Sequence, residues 1–350
     1  MNNGLNGRFL WERLSDNEKP VVLYGTGNGA DVLLEELARR SIPVYGIFAS
    51  DEFARGQTFG GFTVKKYSDF EEELGEFTIL LAFGSDRPEV RENILALSRR
   101  QELFVPDIPV RGGEIFTREY ASAHSDELLK AYELLEDERS RRVFEDIVKF
   151  RLTGELGLLL DSENDRSEKL SLLAINGDES FLDLGAYDGD TVMEFIGSSG
   201  GYRKITAVEA DAKNFSRLRE RMRTLEGITL LNVCVSGHDG RVSFSAKHGR
   251  GSSVRPGAEE VDCFTLDTLF PSENFSVIKC DIEGQELAML TGAKGVITRC
   301  RPKMMISCYH GAEDIFKIPL MLKTYVPQYK IYLRRERSIP AWDADIIAVI

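Results

Sequence analysis

The side chains best suited to chemistry gather in three short stretches. The first is Phe181-Leu182-Asp183-Leu184-Gly185-Ala186-Tyr187-Asp188-Gly189-Asp190-Thr191. Phe181, Leu182 and Leu184 suit a strand inside a parallel sheet. Gly185 and Gly189 suit a tight turn that lets backbone approach a ligand, and Asp190 and Thr191 can cap a following helix. A phosphate cradle meets its anion with free N–H groups and a Lys. Here Asp183, Asp188 and Asp190 crowd the turn instead, so a cationic or neutral ligand is expected.

The second stretch is Val208-Glu209-Ala210-Asp211. A carboxylate such as Glu209, set after a strand, can accept hydrogen bonds from both hydroxyls of a ribose. The third is Val277-Ile278-Lys279-Cys280-Asp281-Ile282-Glu283-Gly284-Gln285-Glu286, followed later by Ser307-Cys308-Tyr309-His310. Asp281, Glu283 and His310 could converge to take a proton from a hydroxyl. His310 is the first choice as base, because an unperturbed imidazole titrates near neutrality. Asp281 would orient the acceptor or the histidine. Glu283 and Glu286 open a helix, where an acid is also favoured by the dipole alone. The trio could surround a metal, but no His-x-x-x-His or similar spacing requires one, and a metal-free site is expected. Lys279 receives no role.

These residues need a scaffold. Strands are expected at residues 181–184, 205–211, 228–232, 276–281, 303–308, 329–333 and 345–350, with helices between most of them. That makes seven strands in an α/β, Rossmann-like sheet, with the last one antiparallel. In open α/β sheets ligands sit beyond the carboxyl ends of the strands, where the first turn, Glu209, Asn232 and Asp281 all fall. The acidic turn suits S-adenosylmethionine (SAM), which carries a sulfonium and an ammonium and no phosphate. The pattern Asp-x-Gly-x-x-x-Gly with an acid near 209 looks like motif I of Rossmann-like methyltransferases. The expected cofactor contacts are Asp183, Gly185, Ala186, Tyr187, Gly189, Asp190, Thr191, Glu209 and Ala210. Asn232 is expected near the adenine and Asp281 near the methyl.

Taken in order with Leu266-Asp267-Thr268-Leu269 and Leu290-Thr291-Gly292-Ala293, these stretches resemble the FkbM family of methyltransferases. The resemblance covers roughly 179–350. It implies a class I methyltransferase fold, SAM as cofactor, and O-methylation of a hydroxyl on a sugar or other hydroxylated metabolite. Similar subfamilies show a Tyr-His pair, as at Tyr309-His310, and Arg-His where this chain has Arg334-Arg335.

Upstream, residues 1–112 read as a smaller α/β nucleotide-binding-like domain, and residues 113–178 as a helical connector that could pair subunits into a homodimer. The turn Gly25-x-Gly27-x-Gly29 holds its third glycine out of register for a dinucleotide fingerprint. An NAD(P)-linked oxidoreductase using that turn is the second reading; a non-catalytic protein that binds SAM or a nucleotide is the third. The 350 residues carry a formal net charge of -13 and no sustained basic face, which argues against nucleic acid as a partner. A small-molecule or glycan hydroxyl, nucleotide-linked or not, is the expected partner. No apolar run nears the roughly 20 residues that span a bilayer. The five scattered cysteines suit reduced thiols, so a cytoplasmic protein with no membrane partner is expected. The acceptor loops, at residues 246–260 and 309–316, carry few diagnostic residues.

Overall fold

The computed structural model describes residues 8–109, 113–245, 253–254 and 259–350. The chain divides into two compact units, and it passes between them repeatedly. One comprises residues up to Ser125, Arg142–Glu163 and Arg335–Asp343; the other comprises Asp126–Arg141, Asn164–Arg334 and Ala344–Ile350. The helices of residues 113–178 are thus shared between the units.

In the first unit a six-stranded sheet has Val21–Tyr24 and Thr78–Leu81 at its centre. Both strands are buried along their whole length, as continuous apolar runs in a covered parallel sheet should be. Alternate residues feed two cores. Val22, Tyr24, Ile79 and Leu81 pack to one side with Phe48 and Phe77. Val21, Leu23 and Leu80 pack to the other with Leu33 and Leu37 of the helix Asn28–Arg39.

The second unit is built on a seven-stranded sheet. Its strands are β1 (Ser180–Leu184), β2 (Lys204–Val208), β3 (Ile228–Leu231), β4 (Val277–Cys280), β5 (Lys303–Ser307), β6 (Lys330–Arg335) and β7 (Ala344–Val349). The order is β6-β7-β5-β4-β1-β2-β3. β1 to β5 run parallel, and β7 is antiparallel to β5. This is the expected Rossmann-like methyltransferase sheet. Its register sets Asp183 of β1 beside Lys279 of β4, a cross-strand pair that matters below.

A second, four-stranded sheet joins Cys234–Val235, Gly240–Ser245, Ser253–Val254 and Glu259–Phe264. The last of these corrects the loop expected over residues 246–260, whose end is a strand pairing with Gly240–Ser245. Residues 246–252 and 255–258 lie outside the described residues. Arg334, which stands where similar subfamilies have the Arg of an Arg-His pair, is spent inside the second unit: its guanidinium meets Asp137, Ser140 and Glu168. Arg335 is fully buried in the first unit, donating to the Ser162 hydroxyl and to the carbonyls of Ser338 and Leu159. Neither faces solvent.

Candidate active site

The carboxyl end of β1 is where backbone comes closest to backbone. Gly185 has φ +77, and a Cβ there would lie 1.8 Å from the Asp281 carbonyl oxygen. Only glycine lets β1 and β4 touch at their tips. The Gly185 and Ala186 N–H groups both donate to the Val208 carbonyl at 3.0 Å, drawing in the end of β2. Tyr187 has φ +49, and Gly189 caps the helix Asp190–Ser199. Asp190 turns back to accept from the Thr191 N–H.

The charge of this turn is not what the sequence suggested. Asp183 is fully buried and faces Lys279, whose Nζ lies 3.2 Å from its carboxylate and donates to the Gly185 carbonyl at 3.0 Å. Burial pushes the Asp183 pKa up, against the pull of Lys279. Asp188 is held by both nitrogens of Arg221 at 2.8 Å. Two of the three turn acids therefore have cations of their own. Asp183 does not reach a ligand; it braces the strand pair and, through Lys279, the Gly185 carbonyl. Lys279, given no catalytic role above, pairs with an acid and ties the tips of β1 and β4 together.

Glu209 follows β2 and is buried. One carboxylate oxygen accepts the Tyr187 N–H and the other accepts the Asp211 N–H, both at 2.8 Å. A carboxylate oxygen has two acceptor positions, so each retains one for a ligand hydroxyl. Burial raises its pKa to about 7, although the two backbone donors oppose the rise. Asn232 spends its amide N–H groups on the Glu209 and Ala210 carbonyls, at 2.8 and 3.1 Å. These bonds fix the Glu209 loop.

At the ends of β4 and β5 the structure brings together Asp281, Glu283 and His310, and it adds Glu286. The His310 side chain is 2% exposed. Its Nε2 lies 3.0 Å from Glu283 Oε2 and 3.6 Å from Asp281 Oδ1, and its Nδ1 lies 3.1 Å from Glu286 Oε1. Glu286 is fully buried and also accepts the Ile282 N–H at 2.9 Å. Burial would lower the His310 pKa, but Glu286, Glu283 and Asp281 together raise it well above the ordinary value. Glu286 titrates below its usual range: burial opposes ionisation, and His310 and the Ile282 N–H outweigh it. The ordinary imidazole value on which the choice of His310 as base rested is thus displaced upward. Asp281 is more open, at 32%. Burial raises its pKa to about 6 against the pull of His310 and Lys279. The Tyr309 hydroxyl is 3.5 Å from both its oxygens.

The sheet order and the convergence of Gly185, Glu209 and Asp281 at three adjacent strand tips define a class I, Rossmann-like methyltransferase. The crystal structure of methyltransferase FkbM from Methylobacillus flagellatus KT shares this fold, with a TM-score of 0.75 at 20% identity over 95% of this chain and 90% of that one. Residues 183–330 match the Methyltransferase FkbM domain. A relative from Sinorhizobium fredii (strain NBRC 101917 / NGR234), named 2-O-methyltransferase NoeI, is 22% identical over 190 residues, which cover 46% of this chain and 76% of that protein. Among the described residues no helix is long and apolar enough to cross a membrane.

Proposed function

We propose that this methyltransferase uses SAM and places the methyl on a hydroxyl oxygen of a sugar or another hydroxylated small molecule. The observation that carries the reading is Glu209. It is a buried carboxylate fixed by two backbone N–H groups, with one acceptor position left on each oxygen, which matches the paired hydroxyls of a ribose. The bare backbone of Gly185 and the acid at Asp190 suit the amino-acid end of the same molecule. When bound, SAM supplies a methyl group already activated on sulfur. What remains for the chain is to align the acceptor and to take its proton. Asp281 stands at the β4 tip, partly open, and accepts that proton as the acceptor oxygen keeps its electron pair and gains the methyl. The name of the Sinorhizobium relative supports oxygen as the acceptor atom.

Calorimetric titration of the purified chain with S-adenosylhomocysteine, and separately with NAD, tests this. Binding of the former and not the latter is expected. Binding of NAD alone would favour the oxidoreductase reading and remove ours. With labelled SAM and a panel of free and nucleotide-linked sugars, Asp281→Asn is expected to lower transfer by about 100-fold or more.

A further inference from the structure

We propose that Asp281, Glu283 and His310 together hold one divalent cation, through a carboxylate oxygen of each acid and the imidazole Nε2. This deepens the reading above and rests on it only in setting the cation beside the acceptor hydroxyl. It reverses the metal-free expectation drawn from spacing, because the three residues meet through the fold of β4 and β5 and not through any short motif.

The geometry is that of a shared ion. The three ligand atoms all lie within 4.8 Å of one another, with 3.0 Å between Nε2 and Glu283 Oε2 and 3.6 Å between Nε2 and Asp281 Oδ1. Donors about 2.1 Å from one ion stand about 3.0 Å apart at right angles and about 4.2 Å apart when opposed.

The second observation lies behind the imidazole. The imidazole is 2% exposed and, among the described residues, neither ring nitrogen completes a hydrogen bond; Glu286 Oε1, on a fully buried side chain anchored by the Ile282 N–H, lies 3.1 Å from Nδ1. A ligating histidine almost always gives its other ring N–H to a carboxylate, which fixes the tautomer and aims the remaining nitrogen at the metal. Glu286 stands at the distance for that role, behind Nε2.

Charge agrees with geometry. Asp183, Asp281, Glu283 and Glu286 crowd this corner, and Lys279 is already committed to Asp183. A dication would add positive charge beside these carboxylates. Two oxygens and one imidazole nitrogen suit Mn²⁺ or a neighbouring first-row ion. An acceptor hydroxyl bound to it becomes more acidic. Its O–H bond then breaks with the proton passing to the second Asp281 oxygen.

The test needs no acceptor. Metal-stripped full-length chain is titrated with Mn²⁺, following the free-ion paramagnetic resonance signal, and in parallel with Zn²⁺. One ion per chain is expected. Affinity should fall at least about tenfold in His310→Ala and in the isosteric Glu283→Gln. S-adenosylhomocysteine titration of the same samples verifies that each variant is folded. If chain that binds S-adenosylhomocysteine takes up neither ion, or if Glu283→Gln and His310→Ala leave uptake intact, the assignment is overturned. Uptake lost in the variants from a wild-type chain that ignores S-adenosylhomocysteine supports the cation and removes the SAM reading instead.

Discussion

The molecule contains two versions of one corner, a parallel strand running through a glycine turn into a helix. In the first unit Val21–Tyr24 leads through Gly25 and Gly27, both at φ +111, into the helix Asn28–Arg39. In the second, β1 leads through Gly185 and Gly189 into the helix Asp190–Ser199. The order of elements is shared, but the turns differ in length, residues 25–27 against 185–189, and so do their surroundings. The first turn is packed with side chains: a Cβ at Gly25 would lie 2.4 Å from the Phe83 ring, and the Tyr24 hydroxyl is bonded to Ser50 and Asn93. The second turn abuts bare backbone at Asp281 and faces the buried carboxylate Glu209. A glycine turn between strand and helix is common to both. The chemistry comes from what the neighbouring strand tips carry, and the second corner carries Glu209 and Asp281 there.

The sharpest break of this comparison is a methyl group. Gly185→Ala would drive a Cβ to within 1.8 Å of the Asp281 carbonyl, at a strained φ. Such a clash of backbone with backbone is expected to cost about 4 kcal/mol or more, enough to prevent folding of the second unit. Gly27→Ala in the first turn meets nothing within 4 Å and should cost only the strain of its φ, about 1 kcal/mol. Urea unfolding of the two variants measures both, and equal costs would mean that the close approach of Gly185 to Asp281 does not constrain the β1 tip.

A smaller effect is expected at Lys279. Lys279→Met leaves Asp183 buried without a counter-charge, a loss of about 3 kcal/mol. The double variant Asp183→Asn/Lys279→Met should recover most of it. If the double variant is no better than the single, the pair is not what holds the turn.

How much of this was legible before the fold was known follows from the same contrast. Strands buried on both faces announce themselves as apolar runs, so Val277-Ile278 and Ile346-Ile347-Ala348 marked β4 and β7 directly. Glu259–Phe264 did not, because Glu-Glu-Val-Asp-Cys-Phe has the charges of a loop and owes its strand to its partners. Glu209 was legible as a strand-tip acid. The state of His310 was not, since it depends on Glu286 turning inward at the first turn of its helix. Nor were the neutralising partners of Asp183 and Asp188, which lie on other elements far along the chain. Composition shows how many charges a segment holds; only the fold shows which are already answered.

Glu209 tests whether the second corner is the working one. Glu209→Gln keeps shape and loses charge. It should weaken S-adenosylhomocysteine about 10- to 100-fold, the worth of hydrogen bonds to a charged acceptor. Asp51→Asn, after the corresponding strand of the first unit, should leave that affinity unchanged.

The mildest test is pH. In the ligand-free chain burial holds the Glu209 pKa at about 7, above its ordinary value. The neutral form is therefore favoured by folding, and its contribution to stability, complete below the unfolded pKa, is lost as pH rises through about 7. Ribose hydroxyls select the opposite, ionised form. Below about pH 7 binding must expel a proton, so affinity should fall by up to about tenfold per unit and level off above it. The difference between wild type and Glu209→Gln across this range isolates the one group, whatever else titrates nearby. A wild-type curve parallel to that of Glu209→Gln would mean that the carboxylate meets no hydroxyl, and that the two glycine corners differ in nothing a ribose can sense.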